Sequence, residues 1–192
     1  MFHDSTTGAI IGFWCTFDSG WCDGWLNGEL SGDEVGTDPF LVNRGATSTP
    51  LTGPAFDHTR GDNNGAYIYL EGSDLTRYGE QCVVRSPEID FGAFDAYCLM
   101  FWYSMYGVHV ESIAVTIEFR SFNVELDLLT LGGEQTSTDE EWRQASVDII
   151  GGNQPNLEVR GSVKLTARYG KGYKSDIAID DVLLVPSACT IE

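Results

Sequence analysis

The residues with the most chemistry in this chain are acids placed where strands belong. Asp180 and Asp181 sit inside Ile177-Ala178-Ile179-Asp180-Asp181-Val182-Leu183, apolar on both sides. Neighbours in an extended strand point to opposite faces, so one of the two carboxylates is aimed into or beside the core. A buried carboxylate finds a cation or several donors, or it protonates. Calcium, a hard ion that takes oxygen ligands, would serve. Backbone N–H groups, an indole N–H or an arginine would serve equally. Asp57-His58-Thr59 suggests acid–base work, yet adjacent side chains diverge. The other histidines, His3 and His109, show no partner spacing, and no Gly-x-Ser-x-Gly elbow occurs. A catalytic triad is therefore not expected, and Asp57 reads as an acceptor of local N–H groups in a turn. Arg60-Gly61-Asp62 spells the tripeptide that integrins read, in a loop rich in glycine and asparagine. Three-residue matches also arise often by chance. Trp102, Tyr103, Tyr106 and Trp142 are candidates for a sugar-stacking platform. Trp102 and Tyr103 belong to a run apolar on both faces and are expected in the core, which leaves Tyr67, Tyr69, Tyr169 and Tyr173 freer.

Charge and cysteines bound the setting. The 192 residues fit one domain and suffice for a sizeable core. The net charge is −18, with small clusters at Asp33-Glu34, Asp139-Glu140-Glu141 and Asp180-Asp181. Such a surface repels phosphate backbones and anionic lipid, so nucleic acid and a bare membrane are poor partners. No apolar run approaches the roughly 18 residues of a membrane helix. Met1 to Trp14 lacks a basic n-region and does not read as a signal peptide. The chain is expected to be a mature segment, or a piece of a longer secreted or membrane-anchored protein. Cys15, Cys22, Cys82, Cys98 and Cys189 include no CxxC pair, and the histidines have no zinc spacing. In an oxidising compartment four of the five pair and one is left over, with the partners open at this point. No Asn-x-Ser/Thr acceptor occurs.

The elements that must position these residues are strands. Gly, Asn, Asp and Pro punctuate short runs, and no segment has a convincing helical period. Residues 1–14 read as a tail or first strand, and 23–64 as a long ordered loop or a set of very short strands. Strands are expected at Ala66–Leu70, Cys82–Arg85 and 97–106, the last apolar on both faces and so central. Ile113 to Phe119 and Phe122 to Leu128 each alternate, predicting one dry and one wet face, joined by a hairpin or bulge at Arg120-Ser121. Trp142–Ile150, Leu157–Tyr169 and Asp176–Val185 complete some eight to ten strands, a sandwich or jelly roll.

Several islands, in order, resemble the MAM domain. They are Cys15-Thr16-Phe17-Asp18, Cys22-Asp23-Gly24-Trp25, Gly53-Pro54 with Asp57-His58-Thr59 and Gly65-Ala66-Tyr67, and Arg85-Ser86-Pro87. Cys98 to Gly107, Glu141-Trp142-Arg143 and Asp176 to Val182 follow. The resemblance runs from Cys15 to Cys189, leaving 1–14 and 190–192 as flanks. One departure is Asp18, where the family usually has Glu, a longer reach. The resemblance implies an all-β, jelly-roll-like sandwich of two antiparallel sheets and an extracellular setting, secreted or as an ectodomain. It implies a non-catalytic module for protein recognition, self-association or adhesion, with a carbohydrate-binding module as the alternative. It further implies pairs Cys15–Cys22 and Cys98–Cys189, leaving Cys82 as a buried inert thiol or an intermolecular link. Related jelly rolls hold a structural calcium between an early loop and the last strand, and Asp18, Asp57, Asp62 and Asp180 are the expected ligands.

Overall fold

The computed structural model describes residues 1–5, 7–28, 37–152 and 159–190. The Asp33-Glu34 cluster and the start of the run expected from Leu157 lie outside the described residues. In the first half of the chain the strands are β1 Phe2–His3, β2 Ile10–Cys15, β3 Leu26–Asn27, β4 Thr37–Asp38, β5 Leu41–Asn43, β6 Tyr67–Leu70 and β7 Gln81–Arg85. In the second half they are β8 Ile89–Asp90, β9 Ala96–Ser104, β10 Ser112–Phe119, β11 Val124–Gly132, β12 Arg143–Ile150, β13 Arg160–Arg168 and β14 Ile177–Val185. The first sheet runs β1-β2-β14-β6-β5, with β9 on the other side of β14 and β12 beyond it. The second runs β11-β10-β13-β7-β3, with β4 on β7 and β8 on β13. Among the described residues every pairing is antiparallel except the two-residue contact of β4 with β7. From β8 to β14 only the β10–β11 hairpin stays within one sheet; each other connection crosses between the two, which is a jelly-roll sandwich.

Residues 1–14 thus contribute strands rather than a loose tail, and 23–64 contain the very short strands β3, β4 and β5. The core is built by parity. Phe13 and Cys15 in β2, Leu99 and Phe101 in β9, and Ile113, Val115 and Ile117 in β10 meet Val163 and Leu165 of β13, all nearly inaccessible. Disulfide Cys15–Cys22 closes the loop after β2, and Cys98–Cys189 ties β9 to the segment after β14, with Cα separations of 5.9 and 4.8 Å. Loop-closure entropy makes these worth about 2.5 and about 4.6 kcal/mol as upper values.

Two expectations about faces fail. The outer face of β10 is not simply wet, because Thr116 and Glu118 are buried there. Fully buried Arg85 reaches from β7 to Glu118, with Nε 3.0 Å from Oε2, and Arg120 and Lys164 approach the same carboxylate. Burial alone would raise the Glu118 pKa, but Arg85 and Arg120 bring it below its ordinary value. Nor is the apolar run 122–128 dry: Phe122, Val124 and Leu126 are 64%, 51% and 49% exposed. Residues 120–122 form a 3-10 turn, and the β10–β11 register shifts between Val115 and Thr116. Apolar parity is thereby handed from Leu126 to Leu129, and among the described strands β11 is the outermost of its sheet.

Candidate functional site

The acids singled out above gather where β14 changes partners. Along one edge β14 pairs with β6 through Ile177–Ile179 and with β2 through Val182–Leu184. Asp180 and Asp181 fall in the gap, and the register against β9 slips between Asp180 and Leu183. Asp181 has φ +50°, a left-handed conformation that Asp tolerates better than most residues. A bulge of this kind interrupts the ladder and strands its amides. Asp180 satisfies the one at Asp181, and the acids together hold several amides of residues 58–66. Asp180, wholly buried, accepts from the N–H of His58 at 3.0 Å, of Thr59 at 3.4 Å and of Asp181 at 2.8 Å. Asp57, also buried, accepts from the N–H of Arg60 and of Asp62. Its carboxylate rests on Gly65, where a Cβ would lie 1.9 Å from Oδ2. Asp18 accepts from the N–H of Ala66 at 3.0 Å and thereby joins the end of β2 to the start of β6. Burial, then the charge of Asp181, pushes the Asp180 pKa up to about 8.

The loop 57–66 is the common element. Asp62 accepts from the N–H groups of Asn64 and Gly65. Arg60, half exposed, donates from Nε to Asp18 at 3.1 Å. The Arg60-Gly61-Asp62 tripeptide is therefore at the surface, with both charged side chains tied to their own surroundings. The four acids named for calcium share one end of the sandwich, but as arranged they do not fit one ion. Each accepts at least two donors, and among the described residues no three acidic, histidine or cysteine side chains form a metal-holding group.

His58 turns away from Asp57, as adjacency requires, and finds Asp181 instead, with Nδ1 2.6 Å from Oδ2. Its ring stacks on Trp102 at 3.8 Å between centroids and 16° between planes. Thr59 donates its hydroxyl to the other oxygen of Asp181. This is an acid–histidine pair without a nucleophile, since among the described residues no hydroxyl or thiol bonds to His58 Nε2. The pair spans 123 positions in the chain and had no local signal.

The aromatics considered for sugar stacking do not share one open face. Tyr103 is buried, and Trp102 is covered by His58. Trp142 donates its indole N–H to the Phe56 carbonyl. The Tyr67 hydroxyl donates to the Gly45 carbonyl, and that of Tyr69 to Glu71. Tyr169 is buried beside Cys82, while Tyr173 stands exposed elsewhere. Cys82 itself is 1% exposed, and burial pushes its thiol pKa up to about 12. An intermolecular disulfide needs an accessible thiolate, so this position fits the inert thiol and not the chain-to-chain link.

A concavity that no sequence motif marks lies beside the acidic seam. It has a volume of about 550 Å³ and is walled by Trp14, Phe17, Trp21, Trp25, Asp18 and Asp23, with Thr59 on its rim. Trp14 and Trp21 are 61% and 36% exposed. The available signal was parity, for Trp14 lies between inward Phe13 and Cys15 and so must face out.

Fold and site together define a disulfide-tied jelly-roll domain whose inward acids hold its own loops. The family model for the MAM domain (meprin/A5/mu) matches residues 15–190, and the chain belongs to that family. It is similar to MAM domain-containing protein 2 of Mus musculus, 31% identical over 175 residues, covering 91% of this chain and 23% of that protein. It is 30% identical over 156 residues to MAM domain-containing glycosylphosphatidylinositol anchor protein 2 of Mus musculus, covering 77% of this chain and 15% of that protein. The chain thus spans less than a quarter of the length of these relatives. Among solved structures it is similar to the K1 cleaved adhesin domain of Lys-gingipain from Porphyromonas gingivalis W83. The TM-score is 0.61 with 16% identity, covering 93% of this chain and all of that one, a likeness of fold alone.

Proposed function

We propose that this chain is a non-catalytic extracellular recognition module, binding a protein partner or a second copy of itself within a larger secreted or membrane-anchored protein. One observation carries the reading: the groups that resemble catalytic machinery are engaged in holding the fold. Asp57 and Asp180 accept backbone amides, and His58 is fixed between Asp181 and Trp102. Membership of the MAM family, and a relative named as a glycosylphosphatidylinositol anchor protein, support an adhesive, cell-surface setting. Two disulfides support an oxidising compartment. The net charge of −18 argues against nucleic acid and anionic membrane as partners.

Beads coated with the domain test this. Attachment to cells, or bead-to-bead clustering, is expected to be lost after protease treatment of the bound surface, with no saccharide retained on a glycan array. Strong saccharide binding in place of protein binding sinks the reading in favour of a lectin-like module. Loss of attachment on Asp62→Glu, with an unchanged melt, would assign the integrin tripeptide a role. Melts in EDTA and in millimolar calcium test the calcium expectation. An unchanged midpoint matches acids satisfied by amides, whereas a rise of several degrees with calcium means that loop 57–66 regroups around an ion.

A further inference from the structure

The concavity between the loop after β2 and the rim at Thr59 has features that nothing in the seam requires. Its floor is packed by aromatic rings: Phe13 and Phe17 meet Trp25 edge-on at 5.2 and 6.0 Å, and Phe17 meets Trp21 at 5.8 Å. The Cys15–Cys22 disulfide ties this loop, with Trp21, to the end of the strand that carries Trp14. Two large indoles are left in solvent at one site, against the ordinary tendency to cover them. Asp23 is exposed there and has no ion pair among the described residues. Asp18, on the same wall, already accepts a guanidinium from the chain's own Arg60. The surrounding charge is strongly negative, −18 over the chain.

We propose that the Trp14–Trp21 concavity is a docking site for an arginine side chain presented by a protein partner. The guanidinium is planar and weakly hydrated. It stacks on an indole face while its N–H groups reach a carboxylate, here Asp23. The long-range field of the acidic chain draws such a partner in and disfavours an acidic one. A neutral sugar would stack on the indoles and donate a hydroxyl to Asp23, but it gains nothing from the long-range field of the net charge. This inference rests on the recognition reading above and names the chemistry of the partner.

The test is NMR on the whole chain, following the indole N–H signals of its tryptophans during titration with acetyl-Gly-Arg-Gly-amide. A matched peptide with citrulline in place of arginine and a neutral hexasaccharide, cellohexaose, are the comparisons. Saturable shifts of the Trp14 and Trp21 signals are expected with the arginine peptide. Binding should be weakened at least threefold with citrulline, and about 3- to 30-fold by Trp14→Ala, with a smaller loss for Asp23→Asn. Trp14 is exposed, and an unchanged melt of each variant shows that the fold is intact. Equal binding of the citrulline peptide, no shift at Trp14 and Trp21, or shifts there only with the hexasaccharide would each overturn the proposal. If the beads still attach to cells through protein while the arginine peptide fails here, the recognition reading stands and only this site is lost.

Discussion

Gly65→Ala probes the acidic seam with a single methyl group. Gly65 does not use the left-handed region, so its backbone accepts alanine. Only space is at issue. The added Cβ would sit 1.9 Å from Asp57 Oδ2 and 2.0 Å from its carboxyl carbon, and the carboxylate must leave. Its departure breaks the bonds from the Arg60 and Asp62 amides, at 2.8 and 3.2 Å. Hydrogen bonds to a charged group contribute about 1.5–3 kcal/mol each, so the loss is about 3–6 kcal/mol. For a domain of this size that lowers Tm by roughly 6–24 °C. Urea unfolding under non-reducing conditions measures it, with Asp57→Ala as the second arm of a double-mutant cycle. In the Asp57→Ala background the methyl group meets no carboxylate, and Gly65→Ala should then cost less than about 1 kcal/mol. An equal cost in both backgrounds, or a small cost in the wild type, refutes the packing of Asp57 on Gly65 as the reason for glycine.

Burial pushes Asp180 up to about 8 and Asp176 up to about 7, both above their unfolded values. Their contribution to stability is therefore full below the unfolded pKa and is lost as pH rises through 7 to 8. Tm of the wild type should fall more steeply between pH 5 and about 8.5 than that of Asp180→Asn, and parallel slopes would contradict this. Glu118→Ala leaves buried Arg85 without its carboxylate and should destabilise by about 3 kcal/mol, while Arg85→Met with Glu118→Leu recovers most of the loss. A loss under about 1 kcal/mol in urea unfolding would show the pair to be solvated. Cys82 should resist a thiol reagent in the native state and react once unfolded. Rapid native labelling, or a Cys82-dependent dimer on a non-reducing gel, counts against its burial.

Much of the architecture was legible because short-range pattern and burial agree. Alternation placed β10, and two-sided apolarity placed β9 between β12 and β14. The strand parity of Asp180-Asp181 foretold one inward carboxylate, and Asp180 is the buried one. The misreadings came from edges and from distance. The residues 122–128 alternate perfectly, yet alternation cannot say that β11 has a neighbour on one side alone among the described residues or that a bulge shifts its faces. Glu118 looked solvated because Arg85, which neutralises it, lies 33 positions away. His58 found its carboxylate 123 positions away rather than next door. The Trp14–Trp21 concavity needed a disulfide loop folded back on a strand end, and no local spacing encodes that.

Amide hydrogen exchange at His58, Arg60, Asp62 and Ala66 is the most direct measurement of the seam. These four N–H groups point at Asp180, Asp57 and Asp18 rather than at a neighbouring strand. They should exchange together with β6 and β14, orders of magnitude more slowly than an open loop. Exchange at the rate of an unstructured peptide, with the strands still protected, would mean that the acids do not hold the loop and that their burial has another purpose.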